Sequence, residues 1–99
     1  DNENSMLNRK EQKRRGAELR QQTAPLRKQI SQLEEKMNKH SSKLAETENQ
    51  LADSELYSAK NKEKLTALLA QQVEVKKALE EVEIDWLAAQ EELEAMLQA

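Results

Sequence analysis

Arg9, Lys10, Lys13, Arg14 and Arg15, with Arg20 five residues on, form the densest run of cations in this 99-residue chain. Bases at this density neutralise phosphates and release their counterions, chemistry that needs no readout of base sequence. They are the candidate nucleic-acid contacts. The bland alternative is a solvated flank that only complements acidic residues elsewhere in the chain. An amphipathic membrane helix is a weaker third reading, because residues 1–22 offer only Met6, Leu7, Ala17 and Leu19 as apolar contact.

Other reactive groups are sparse. There is no Cys, hence no disulfide, no thiolate nucleophile and no thiolate-ligated metal, which suits a reducing cytoplasm. His40 is the only histidine, too few for the His pairs of common transition-metal sites, and it reads as a seam residue half in water. Glu34-Glu35, Glu80-Glu81 and Glu91-Glu92 are neighbours along a helix, not facing pairs, so carboxylate-pair catalysis is not expected. Trp86 could stack on a base, but it falls in a core frame, where a packing role is the plainer reading. No catalytic, cofactor or metal residue is assigned.

The elements that must position the basic run follow from composition and period. More than half the residues are Ala, Leu, Glu, Lys or Arg, and there is one Gly and one Pro. That rules out an all-β fold, which needs turn residues at every corner. With two aromatic residues in all, a deep apolar pocket is not expected either. No apolar stretch is long enough to span a bilayer, and no basic-then-apolar leader opens the chain. Asp1-Asn2-Glu3-Asn4-Ser5 reads as a cut end.

Apolar positions step by four and three through Leu26, Ile30, Leu33, Met37, His40, Leu44, Thr47 and Leu51, and Leu19 and Thr23 extend the frame upstream. A second run keeps the same spacing: Leu65, Leu68, Gln72, Val75, Leu79, Val82, Trp86, Ala89, Leu93 and Met96. Such spacing over several heptads argues for a coiled coil. Between the runs, core positions fall on Ser54, Ser58 and Asn61, which cannot hold a seam and favour caps and turns. A turn over 53–60 is predicted, closed by Leu56 and Tyr57. Pro25 is expected in the first turn of the first helix, where its missing N–H costs little. Residues 1–22 are then a flexible basic arm, disordered or a frayed helix.

Charge chooses the topology. Residues 9–28 hold eight bases against Glu11 and Glu18, a net of +6, whereas 78–99 hold seven acids and no base. Folding back brings the acids towards Arg27, Lys28, Lys36 and Lys39, while a parallel dimer would set like on like. The short link also favours the partner helix of the same chain. The expected fold is all-α: an antiparallel two-helix coiled-coil hairpin over 23–99, helices about 24–52 and 61–97, monomeric. Its layers pair Leu51 with Leu68, Thr47 with Gln72, Leu44 with Val75, His40 with Leu79, Met37 with Val82, Leu33 with Trp86, Ile30 with Ala89 and Leu26 with Leu93. The competing register slips one heptad, setting His40 beside Gln72 and Trp86 beside Leu26. Arg27 and Lys28 are expected to be occupied by Glu91, Glu92 and Glu94.

Particular strings carry a family resemblance. The run Arg9 to Arg15, then Ala24-Pro25-Leu26-Arg27-Lys28-Gln29-Ile30, the hinge Asp53-Ser54-Glu55-Leu56-Tyr57, and Trp86-Leu87 followed by Glu91, Glu92 and Leu93 resemble the C-terminal region of ABC-F ATP-binding cassette proteins, most nearly the bacterial Uup/YheS branch. The resemblance implies a cytoplasmic parent ATPase with two cassette domains, no membrane domain, and ATP and magnesium as cofactors. It also implies an association with the ribosome and translation, and a C-terminal arm that contacts nucleic acid (ribosomal RNA, tRNA or DNA) beside its own upstream cassettes. The phosphate-cradling G-x-x-x-x-G-K-[ST] loop is absent from these 99 residues, so the fragment is expected to hold no cofactor and to be no enzyme by itself. The rival reading is a structural spacer or protein-docking coiled coil.

Overall fold

The computed structural model describes residues 2–99 and contains two long helices joined by a compact turn. Helix α1 runs Asn2–Leu51 and α2 runs Lys62–Gln98, with 3₁₀ turns at Ser54–Tyr57 and Ala59–Asn61 between them. The rod measures 84 × 18 × 15 Å. The chain is thus an all-α helical hairpin.

Every seam position read from the heptads faces inward. Leu26, Ile30, Leu33, Leu68, Val75 and Ala89 are buried. Met37, His40, Leu44, Leu51, Leu65, Gln72, Leu79, Val82, Trp86, Leu93 and Met96 are half-buried, as two helices alone leave the flanks of a seam open to water. The firmest packing joins Leu26, Ile30, Leu33 and Ala89, with Val82, Trp86, Leu93 and Met96 against them.

Thr47 is completely buried. Its hydroxyl donates to the Lys43 carbonyl at 2.8 Å and accepts from the Gln71 side-chain amide at 2.7 Å. That cross-helix bond selects the register that sets Thr47 beside Gln72, with Gln71 the donor in place of its expected neighbour. The slipped register would carry Gln71 about 10 Å away, two turns of helix. Thr47→Val should cost about 1–3 kcal/mol, because it leaves a sheltered amide without its acceptor. Adding Gln71→Leu should recover most of the loss in a urea titration, and a neutral single variant would contradict this role.

The turn is built from its own polar groups. Asp53 caps the first 3₁₀ turn, its carboxylate accepting from the Glu55 N–H at 3.0 Å. The Asn61 amide donates to the Glu55 carbonyl at 3.0 Å. Leu56 is buried as expected, but Tyr57 is 60% exposed and is not a core residue. Its hydroxyl instead donates to the Leu51 carbonyl at 2.7 Å, satisfying an acceptor that the end of α1 leaves open.

Two expectations fail at the other end. The first helix was expected to begin near residue 24, yet α1 continues unbroken through Pro25 to Asn2. Pro25 offers no N–H to the carbonyl one turn back, and neighbouring side chains support the helix there. The Thr23 hydroxyl, 2% exposed, donates to the Leu19 carbonyl at 2.9 Å. Arg27 reaches two turns back, its guanidinium donating to the Arg20 carbonyl at 2.8 Å and to Thr23 Oγ1 at 3.3 Å. Arg27 is therefore not occupied by Glu91, Glu92 or Glu94. Among the described residues no ion pair joins the two helices, so attraction between the oppositely charged stretches acts at longer range.

Candidate nucleic-acid interface

Residue 20 lies level with the end of α2 in the observed register, so residues 2–19 project alone, about 27 Å of unpaired helix. The frame that half-buries Leu19 and buries Thr23 gives out here: one heptad upstream it meets Gln12 and Gly16, which offer no apolar side chain. Over residues 2–15 the projecting helix therefore has no seam of its own and is exposed.

Its cations divide into two sets. Arg14 lies 3.5 Å from Glu11 and 4.0 Å from Glu18, and Arg15 lies 3.8 Å from Glu11. These pairs are exposed and individually weak, but they hold the two guanidinium groups close to carboxylates. Among the described residues, Arg9, Lys10, Lys13 and Arg20 have no carboxylate within ion-pair distance. At 100° per residue, Arg9, Lys13 and Arg20 fall within about 40° of one another and form a stripe along the helix. Lys10 and Arg14 lie about a quarter-turn away. The six candidate residues thus share one element, and three of them share one line. Sequence reasoning favoured Arg9, Lys10, Lys13, Arg14 and Arg15 and set Arg20 at the edge; the i,i+3 and i,i+4 placement of Glu11 and Glu18 against Arg14 and Arg15 was the signal that separates them.

Other candidates resolve as packing. Trp86 lies against the Leu26–Leu33 cluster, and its indole N–H is sheltered without an acceptor, so its ring is not offered to a base. His40 lines an open groove of about 610 Å³ with Lys39, Lys43 and the small residues Ala67, Ala70 and Ala78. Among the described residues no three His, Asp or Glu side chains lie close enough to hold a metal ion. No described helix is long and apolar enough to cross a membrane.

The whole chain aligns at 81% identity with 16% of the length of the probable ATP-binding protein YheS of Haemophilus influenzae. Over 97 residues, 98% of the chain, it is 59% identical to the probable ATP-binding protein YheS of Escherichia coli, covering 15% of that protein. The chain therefore spans less than a fifth of the curated relatives it matches. No family model matches it, and no solved structure matches it. With four-fifths of its residues shared along its whole length, the chain is similar to the C-terminal part of YheS, an ABC-F ATP-binding protein.

Proposed function

We propose that this hairpin is the accessory arm of a cytoplasmic ABC-F ATPase and contacts nucleic acid through its basic end. The observation that carries the reading is the projecting helix, whose Arg9, Lys10 and Lys13 stand clear both of α2 and of ion-pairing carboxylates, with Arg20 unpaired at its base. A surface so placed reaches phosphates without disturbing the seam. Ribosomal RNA, tRNA or DNA would be held by backbone charge, with the Thr47–Gln71 end serving as a stiff spacer. ATP and magnesium would be bound by the cassette portion of the parent protein.

Binding should be non-specific and weak, about 10⁻⁴–10⁻⁶ M at physiological salt, and steeply salt-dependent. Replacing Arg9, Lys13 and Arg20 together with Ala should weaken binding to all sequences alike. It should also flatten the logarithmic salt slope by about one unit per lost phosphate contact. Replacing Arg14 and Arg15 should do less, since Glu11 and Glu18 already compete for them. Removing residues 1–15 should abolish binding and leave the hairpin's unfolding midpoint in place. Fluorescence anisotropy with a labelled duplex, read alongside circular dichroism, measures both. Binding that survives the truncation, or a hairpin that melts with it, favours the spacer or docking coiled coil instead.

A further inference from the structure

The two helices differ in what they leave in water. Among the described residues, α1 exposes no large apolar side chain over residues 8–51. Along the same paired length α2 exposes Leu69, Val73, Ile84 and Leu87, at 47%, 67%, 65% and 53%. At 100° per residue these four fall within about 60° of one another, on a stripe about 140° around α2 from the seam. Leu97, exposed as well, lies about 100° off that stripe. Lys76 and Glu80 occupy the middle of the stripe, and Lys62 and Glu94 flank its apolar pairs. Among the described residues none of these four charges has an ion-pair partner in its own molecule. Along α2 the stripe therefore runs base, two apolar, base, acid, two apolar, acid. Taken from the other end, the order is the same with the charges exchanged. A helix face of that symmetry is complementary to a second copy of itself laid antiparallel.

We propose that two copies of this chain pair through these stripes, antiparallel, about a two-fold axis level with residue 78. Leu69 then meets Leu87 of the second copy, Val73 its Ile84, Lys76 its Glu80 and Lys62 its Glu94. Each pair is level to within one residue, about 1.5 Å. Thr66 and Glu91, also on the stripe, meet as hydroxyl and carboxylate. The pairs match around the helix too. Leu69 and Leu87 lie to one side of the stripe's midline, Val73 and Ile84 to the other. A two-fold axis normal to the plane of the two α2 helices keeps each side facing its own kind. Each α1 packs on the far side of its α2, so the four helices form one shallow layer in which the two α1 helices do not touch. Other alignments fail on chemistry. A slip of one heptad sets Leu69 against Glu80 or Glu94, and a parallel pairing sets Lys76 on Lys76 and Glu80 on Glu80. The contact covers an apolar stripe that water would otherwise wet and leaves both basic helices free, one at each end of the pair. It does not rest on nucleic-acid binding.

Sedimentation of the unmodified chain should show a monomer at dilution and a dimer at high concentration. Lys76→Glu should weaken the dimer at least about tenfold, because like charges then face each other at both symmetric positions. Glu80→Lys should do the same, and an equal mixture of the two variants should associate again, since each supplies the charge the other lacks. Val73→Ser with Ile84→Ser should also weaken the dimer while leaving the unfolding midpoint of the dilute hairpin in place, because neither side chain enters the seam. Circular dichroism of each variant checks that the helices remain. The chain has no cysteine, so the pairing can also be trapped. Mixed in a glutathione buffer, Leu69→Cys and Leu87→Cys chains should give the mixed disulfide in excess, as like positions lie about 27 Å apart in the pair. A preference for either self-disulfide would overturn the proposal. So would charge variants that associate no better mixed than alone. A monomer at every concentration would give the stripe to some other partner and overturn it as well.

Discussion

Trp86→Ala should remove about 2–3 kcal/mol of stability, below the 3–5 kcal/mol of a fully enclosed aromatic because Trp86 is only half-buried. A two-helix core of this size supplies at most roughly 3–5 kcal/mol, so the variant should keep only a marginal remainder and unfold at much lower urea. Trp86→Phe should behave quite differently. The indole N–H is shut away from water with no hydrogen-bond partner, and such a donor costs about 1–3 kcal/mol in the folded state. Phe removes that donor while keeping most of the ring against Leu33 and Ile30. The two terms oppose, and Trp86→Phe should fall within about 1 kcal/mol of the parent chain. Urea titration of the three proteins reads the contrast. In the parent chain the indole emission should be blue-shifted and move to the red on unfolding; water-like emission from the folded chain would place Trp86 outside the seam.

The second large effect runs the other way. Pro25→Ala should stabilise the chain by about 1–3 kcal/mol. Proline in a helix interior costs about 3 kcal/mol relative to alanine, and the Thr23 and Arg27 hydrogen bonds onto the Leu19 and Arg20 carbonyls recover only part of that. For a chain of this size, each kcal/mol raises the melting temperature by roughly 4–8 °C. The sign is diagnostic. If Pro25 stood in the first turn of its helix, where its ring is pre-organised, the same substitution would be neutral or destabilising. A melting temperature that falls would therefore end α1 at residue 24 and leave the basic run outside the helix.

The seam was legible from the sequence because a two-helix core is a one-dimensional problem. Leu26, Ile30, Leu33, Leu68, Val75 and Ala89 recur at 3.5-residue spacing, and burial follows period whichever partner supplies the other half. The turn was legible too, since Asp53, Ser54 and Asn61 offer the backbone bonds that a seam would have to forgo. Charge pointed to the right topology through a mechanism that the structure does not contain: the stretches of opposite sign lie along one rod, yet Arg27 spends its donors on the Arg20 carbonyl and Thr23. Side-chain reach decides such pairs, and spacing along the sequence does not encode it across two helices.

Tertiary structure alone settled three matters. Register hung on a single cross-helix bond, Gln71 to Thr47, because adjacent heptads of similar apolar content pack almost equally well. Tyr57 has the composition of a core residue but follows the geometry of the turn, which leads its hydroxyl to the Leu51 carbonyl and leaves its ring in water. The course of α1 through Pro25 was the largest departure. Local propensity says that a helix should not pass a proline, and that penalty is offset only in part here, by Thr23 and Arg27 bonding the Leu19 and Arg20 carbonyls just before the break. The sequence by itself determined which residues face inward and where the chain turns back, since both follow from local period and turn chemistry. How far the basic helix projects beyond its partner depends on register and helix continuity together, and only the folded chain decides those.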